Sequence, residues 1–392
     1  MKKHEVGARC CGCSACVVIC PKQCISMKTD AEGFWYPVVD DRHCINCSLC
    51  TKVCTVCQED SSTDEEIKTY IGFNKNFSQR MKSSSGGLFY VFAKQILDRS
   101  GIVYGAAFNN DHSVSHVRVQ SMEELDSVLT SKYVQSEVTS ALKSVIVDLQ
   151  EKKQVLFCGT PCQVSGLLNI AKHLRLEENL FTIDFVCHGV PSPLVWKFYV
   201  EYLRKLYGEI ENIEFRNKDY GWHDFHLRVQ FSNNKCFSES HELNAYMKSF
   251  LSNKNIRRSC YECPVKCKGY VSDLTLADAW KIEKEKPVWA DDCGTSACFV
   301  RTDKGERLMD LVREELEMAV SDYEKQSKFN PSLICSTRKP NNRDEFFQEC
   351  FEQSPENFWK SYGRVKLKKR IRYIAKKIIR IGNLDRLVRK YY

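Results

Sequence analysis

Cysteine is where this chain concentrates its chemistry: 22 in 392 residues, half of them within the first 57. Cys10, Cys13, Cys16 and Cys20, followed by Pro21, read C-x2-C-x2-C-x3-C-P. The spacing returns 34 residues later at Cys44, Cys47, Cys50 and Cys54. This is the bacterial-ferredoxin run, in which the fourth cysteine of each group serves the other group's cluster. It predicts one 4Fe-4S cluster on Cys10, Cys13, Cys16 and Cys54, and a second on Cys44, Cys47, Cys50 and Cys20. Structural zinc takes well-separated cysteine pairs, and a triple C-x2-C run crowds such a site. Disulfides need an oxidising compartment, of which the sequence gives no sign. Cys11, Cys24 and Cys57 are surplus and read as small buried hydrophobes. Thr55 replaces the proline that ends the first run, so the second turn is expected to be less rigid.

A further set of cysteines falls where strands are expected to end. Residues 155–157 and 181–186 read as short buried strands. They run into Cys158-Gly159-Thr160-Pro161-Cys162-Gln163 and Cys187-His188-Gly189. Helical spacing follows at 164–174 and 194–206, so strand and helix alternate. Ligands of open α/β sheets gather at the carboxyl ends of strands, which draws Cys162 and Cys187 to one site. Cys260-x2-Cys263, in a loop before Pro264, completes four thiolates for a third cluster, with Cys158 and Cys267 as rival ligands. Cys236, Cys293, Cys298, Cys335 and Cys350 are scattered singly and read as packing residues. Upstream, Ser83-Ser84-Ser85-Gly86-Gly87 leads into a helical pattern from Leu88, and free N–H groups at such a start suit a phosphate. Strands are also expected at 102–108, 114–119 and 271–276, a helix at 141–149 and a polar turn at 130–138.

The bulk numbers place these sites in a soluble, globular chain, with 28% charged and 43% hydrophobic residues. The N-terminus has no apolar run of signal-peptide type, and no stretch reaches the length of a spanning helix. A cytoplasmic protein is predicted. The formal charge of +8 is misleading, because residues 364–392 carry twelve Lys/Arg against Asp385, which leaves residues 1–363 at −3. In that tail Leu367, Ile371, Ile374 and Ile378 form one stripe, and Leu384, Leu387, Val388 and Tyr391 resume it after Gly382-Asn383. A basic amphipathic helix of this kind suits peripheral contact with the inner face of a membrane, or packing on the acidic body. No aromatic-basic platform accompanies it, so nucleic acid is not an expected partner.

Taken in order, SSGGLFYVFAKQIL, TSKYVQSE, CGTPCQVSGL, DFVCHGVPSPLVW, FRNKDYGW, SCYECPVKC, SDLTLADAW and SACFVRTDKGERL, behind the ferredoxin-like start, resemble a known family over roughly residues 1–310. It is that of the beta subunits of coenzyme F-420 (8-hydroxy-5-deazaflavin) hydrogenases and dehydrogenases. The resemblance implies an FAD-binding α/β protein whose catalytic part holds one cluster on residues matching Cys162, Cys187, Cys260 and Cys263. It also implies a departure: Ala277 stands where the family has a glycine before Asp278 and Trp280, and backbone approach to a flavin there is altered. Related members reduce chlorophyll-type pigments, so the redox machinery is better defined than the substrate. The expected fold is an α+β ferredoxin-like domain at 1–59, a linker at 60–68, an α/β FAD-binding domain in two parts (69–150 and 151–360, the second with the third iron–sulfur site), and a basic amphipathic helix within 361–392.

Together these features predict a flavin-dependent iron–sulfur oxidoreductase. Single electrons would pass from ferredoxin or another redox partner through 4Fe-4S clusters to FAD. From there they would leave as hydride for coenzyme F-420 or another organic acceptor, or run the reverse way, since a flavin bridges one- and two-electron chemistry. Candidate FAD contacts are Ser84, Ser85, Gly86, Gly87, Lys132, Tyr133, Gly159 and Thr160, with Thr295 and Thr302 behind them. Lys132 would balance negative charge, and His188 would donate a proton or a hydrogen bond to a cluster sulfur. Trp222 and His223 would line the pocket or pack in the core. A homo-oligomer or larger redox complex is the expected setting. The alternative is a non-catalytic electron-relay subunit or an iron–sulfur redox sensor; bound FAD with turnover of a hydride donor would separate it from the enzyme.

Overall fold

In the computed structural model, the residues described are 6–58, 67–364, 367–368 and 370–375, without the side chains of Cys267 and Lys268. An eight-stranded sheet organises them. Four neighbouring strands run parallel at its centre: β4 (Ile102–Phe108), β6 (Val155–Cys158), β7 (Leu180–Phe185) and β11 (Leu274–Asp278). Antiparallel strands close both flanks, with β5 (Val114–Val119) beside β4, and β12 (Ser296–Val300), β3 (Lys68–Asn74) and β13 (Leu316–Ser321) beyond β11.

The parallel strands are apolar on both faces because helices cover both. Ile102, Tyr104, Val155 and Phe157 point to the side covered by helices Thr139–Gln150 and Pro161–Leu174. Val103 and Leu156 point to the side of helices Leu88–Leu97 and Asp303–Val312. The strands and helices predicted between residues 88 and 206 fall within a few residues of those observed. The two expected parts meeting at 150/151 share one sheet, since β4 pairs with β6 across that point. Of the expected linker, residues 60–66 lie outside the described residues, and Lys68 already belongs to β3. The predicted strand at 271–276 is β11, starting three residues later.

A second sheet was not foreseen. β8 (Ile210–Asn217), β9 (His226–Phe231) and β10 (Cys236–Ser240) form an antiparallel meander. It packs with helices Pro193–Tyr207, Ala245–Leu251, Arg343–Glu352 and Pro355–Tyr362 around Trp196, Tyr246, Phe215 and Trp359.

The cysteine-rich start carries a hairpin of β1 (Ile25–Thr29) and β2 (Trp35–Val39) and two short helices, Ala15–Val18 and Leu49–Lys52. Each helix follows a serine in left-handed conformation, Ser14 at φ 60° and Ser48 at φ 61°. The sequence duplication is therefore also a duplication of backbone, and the strained conformation recurs at the same step of both runs. The segment is embedded in the body. Cys11, Cys13, Ala15 and Val53 join the core under helices Thr139–Gln150 and Pro161–Leu174. Arg257, fully buried, donates to Cys10 O (2.7 Å) and Trp35 O (2.9 Å), and its guanidinium lies 4.1 Å from the Tyr36 ring centre.

No described helix is long and apolar enough to cross a membrane. In the tail, Leu367, Ile371 and Ile374 are exposed, while Tyr373 Oη donates to Asp224 Oδ2 at 2.7 Å. Ile378 and the rest of the predicted stripe lie outside the described residues.

Glu32, in the β1–β2 turn, accepts from the fully buried Arg343 at 2.8 and 2.5 Å, and also pairs with Arg258. Burial raises the Glu32 carboxyl, but the two arginines outweigh it and hold it below its ordinary value. A carboxyl lowered in the fold contributes stability above its unfolded pKa and loses it as pH falls toward the folded value. Glu32→Ala leaves the buried Arg343 with only the exposed Asp344 as counter-charge among the described residues. It should cost about 3–5 kcal/mol at neutral pH in chemical denaturation, and less as the buffer is made more acidic.

Candidate functional site

The sequence T-P-C-Q builds one helix start and one thiol position together. Thr160 is the N-cap of helix Pro161–Leu174, Pro161 supplies a preset φ at the first helical position, and the Gln163 side chain accepts from Thr160 N–H at 3.0 Å. Cys162 is thereby fixed in the first turn, where the helix dipole favours a thiolate. The Thr160 hydroxyl lies 3.3 Å from its sulfur. Cys187 lies just past the end of β7, the parallel neighbour of β6. Cys260 lies in the 3-10 turn Arg258–Glu262, and Cys263 caps the next helix, its N–H donating to Ser336 Oγ at 2.9 Å.

Cys162, Cys187, Cys260 and Cys263 line one small cavity together with Cys11. Soft thiolates at separate corners are the donor set an iron–sulfur cluster takes. Among the described residues no three donor side chains stand close enough to share a single metal ion; cubane ligands each bind a different iron and stand farther apart. Cys158 lines the larger neighbouring cavity and not this one. The side chain of the other rival ligand, Cys267, lies outside the described residues.

In the N-terminal runs, Cys54 falls within electrostatic reach of Cys13, and Cys24 within reach of both Cys20 and Cys44. Cys20 and Cys24 sulfurs are 3.5 Å apart. Cys54 therefore sits toward the first run, and Cys24 lies between Cys20 and Cys44. Among the cysteines read as packing residues, Cys298 and Cys350 are buried, whereas Cys236 and Cys335 are exposed at the surface.

Beside the thiol cavity is a larger one of about 620 Å³, the size of an ordinary ligand site. The two share His188 and Val190 in their walls. Ser84, Ser85, Gly87, Lys132, Tyr133, Gly159 and Thr160 line the large cavity. Gly87 (φ 83°) precedes helix Leu88–Leu97. Gly86 is packed away from the cavity, where a Cβ would stand 2.6 Å from Gly72 O and 2.8 Å from Ser296 N. Lys218, almost fully buried, holds the turn with three bonds, to Arg80 O (2.6 Å), Ser85 O (2.9 Å) and Cys293 O (2.8 Å). Burial brings the Lys132 ammonium down to about 7.

Several expectations need correcting. Thr302 caps helix Asp303–Val312 and donates to Asp273 Oδ1 at 2.6 Å, so its hydroxyl is spent on the scaffold. Thr295 is buried behind the turn, where its carbonyl accepts from Ser85 Oγ at 3.0 Å. His188 Nε2 is engaged by Asn253 Oδ1 at 2.7 Å, and burial lowers its pKa, which fits a positioning role better than a free proton donor. Trp222 is core, stacked on Trp280 at 4.8 Å; His223 and Trp280 reach the cavity.

Three charged or titrating groups of the cavity were missed. Arg216, on β8, is 7% exposed and donates to Asp278 Oδ2 at 2.8 Å. Its Nε and Nη2 have no hydrogen-bond partner among the described residues. Asp184, on β7, is fully buried with neither carboxyl oxygen hydrogen-bonded there, and burial pushes it up to about 7. An acid inside the apolar run FTIDFV was the signal for it. His116 is stacked on Phe157 at 5.1 Å with both ring nitrogens bonded, and burial holds it neutral at about 4.

Residues 152–326 match the family model for the C terminus of the coenzyme F420 hydrogenase/dehydrogenase beta subunit. Over 367 residues the chain is 22% identical to the F subunit of F(420)H(2) dehydrogenase from Methanosarcina mazei, spanning 90% of this chain and 94% of that protein. A xenon-derivatised structure of the F420-reducing NiFe hydrogenase complex from Methanosarcina barkeri aligns over 76% of this chain and 96% of that one, at 14% identity and a TM-score of 0.48.

Asp184 also tests the cavity's electrostatics. A carboxyl raised in the fold loses its proton first in the unfolded chain, so stability falls as pH rises from about 4 to about 7 and then levels. Asp184→Asn removes that fall. Measured by denaturation at pH 8 against pH 4, the variant should gain about 2–4 kcal/mol on the wild type.

Proposed function

We propose that this chain, an oxidoreductase whose residues 152–326 belong to the coenzyme F-420 hydrogenase/dehydrogenase beta-subunit family, couples 4Fe-4S clusters on its cysteines to FAD in the 620 Å³ cavity. A hydride-exchanging organic molecule is its terminal substrate, and coenzyme F-420, named in its relatives, is the first candidate. The carrying observation is the shared wall: His188 and Val190 border both the thiol cavity and the large one, so the two sites are neighbours. When bound, the clusters supply one-electron carriage and the flavin exchanges single electrons for a hydride.

The chain's own residues prepare that chemistry. Cys162, Cys187, Cys260 and Cys263 hold the third cluster, and the two crossed N-terminal sets hold the others. Ser84, whose Oγ accepts from Ser131 N–H and keeps its own O–H, and the N–H groups before helix Leu88–Leu97 bind a phosphate group, and Lys132 adds positive charge from the facing loop. Arg216 offers two unpartnered donor nitrogens, and its guanidinium lies 4.6 Å from the Phe225 ring centre, in place to orient a planar, electron-rich ligand. Asn253 holds His188 at the partition between the sites. The Methanosarcina mazei relative is one subunit of a dehydrogenase, and a comparable setting, a larger redox complex, is proposed here. The exposed Leu367, Ile371 and Ile374 stripe is proposed as its peripheral membrane contact.

Protein purified without oxygen should carry about twelve iron per chain and one FAD. Cys162→Ala should lose about four iron and keep the rest. Zinc in place of iron overturns the cluster assignment, and iron without FAD favours the relay reading.

Lys132 gives a second test. Its ammonium is charged below about 7 and neutral above, so FAD affinity, followed by flavin fluorescence, should weaken as pH rises through that value. Lys132→Met should bind more weakly at pH 6 and show a flat profile.

A further inference from the structure

Cys11 lies outside both ferredoxin-type ligand sets, yet it occupies the boundary between them and the third. Its thiol lies within electrostatic reach of those of Cys13 and Cys162. It lines the cavity of Cys162, Cys187, Cys260 and Cys263. The contact is built from both sides. Gly166, one turn on from Cys162, has no side chain where a Cβ would stand 2.9 Å from Cys13 Sγ and 3.2 Å from Ala15 Cβ. That glycine lets the first cysteine turn sit directly on the helix bearing Cys162. Arg257, three residues before Cys260, holds the Cys10 carbonyl from the other direction.

The second cysteine run has the opposite environment. Cys47 is exposed, Ile45 is 57% exposed, and residues 41–48 lie at the surface apart from the half-buried Cys44.

We infer that Cys11 is the contact joining the third cluster site to the inner N-terminal site on Cys10, Cys13, Cys16 and Cys54, and that the Cys44, Cys47, Cys50 and Cys20 site is the outer one, where a one-electron carrier protein delivers. The inference rests on the cluster assignment above and fixes an order that the assignment leaves open. Each transfer oxidises one centre by one electron and reduces its neighbour by one, with the carrier protein as reductant. No bond is made or broken and no proton moves.

The order is read by electron paramagnetic resonance on the full-length wild type, reduced with dithionite, with dysprosium–EDTA as an aqueous relaxation agent. One cluster signal should respond to dysprosium. The other two should broaden each other and respond little. Cys162→Ala should remove one member of that pair, sharpen the other, and leave the dysprosium-sensitive signal unchanged. If the dysprosium-sensitive cluster is the one that sharpens, the order is wrong; if no iron is present, the cluster assignment itself fails. Cys11→Ala should keep the full iron content but slow the redistribution of electrons to the third cluster several-fold in freeze-quench spectra. Loss of about four iron would make Cys11 a ligand, and unchanged redistribution would remove its role as the contact. Cys11→Ser, which keeps a hydrogen-bonding group of similar size, should restore the rate.

Discussion

One buried cation ties the cysteine-rich start to the body. Arg257 has no exposed surface, and its guanidinium donates to main-chain carbonyls of both halves of that start, at Cys10 and Trp35, and to the Gln135 side chain. It stands three residues before Cys260, so one side chain orients the first thiol turn against the loop that supplies two thiols of the third site. A charge buried this deeply is tolerable only when nearly every N–H it carries is used. Carbonyl acceptors and the Tyr36 ring face meet that demand without a carboxylate partner. The packing of Cys13 and Ala15 beside Gly166 depends on this alignment.

The sheet contributes a different constraint. β4, β6, β7 and β11 are parallel, so their carboxyl ends all open on one side. That edge carries Cys158 to Cys162, Cys187 and Asp278, and it is why a thiol cavity and a ligand-sized cavity share a wall. Helix Pro161–Leu174 adds the dipole and the capped first turn, so the cysteine of T-P-C-Q is fixed before any metal arrives.

What sequence reasoning could reach was local. The thiol spacings, the strand ends and the helix start after the serine–glycine turn are patterns within about ten residues, and each names its element and its chemistry. The misses are long-range. Lys218 and the turn it holds are separated by over 130 residues, and Glu32 and Arg343 by 311. No local pattern reports such a pair. Alternation of strand and helix likewise does not say which strands pair, as β4 and β6 do across residue 150. Thr302 was mislaid because a hydroxyl bound to its own scaffold has the same sequence signature as one facing a ligand. Asp184 was legible in principle, as an acid in an apolar strand.

Lys218 has a consequence for recognition as well as for fold. Its ammonium ties Ser85 O to Arg80 O and Cys293 O, adding to the bonds that Ser85 Oγ and Gly86 N–H already make across the Ser83–Gly87 turn. A turn clamped in this way has already given up its backbone freedom, so a ligand settling there loses little further entropy to order it. The same stiffness limits tolerance. A phosphate displaced by a fraction of an ångström cannot be followed by the turn, and selectivity at this end of the cavity becomes a matter of shape rather than of accommodation.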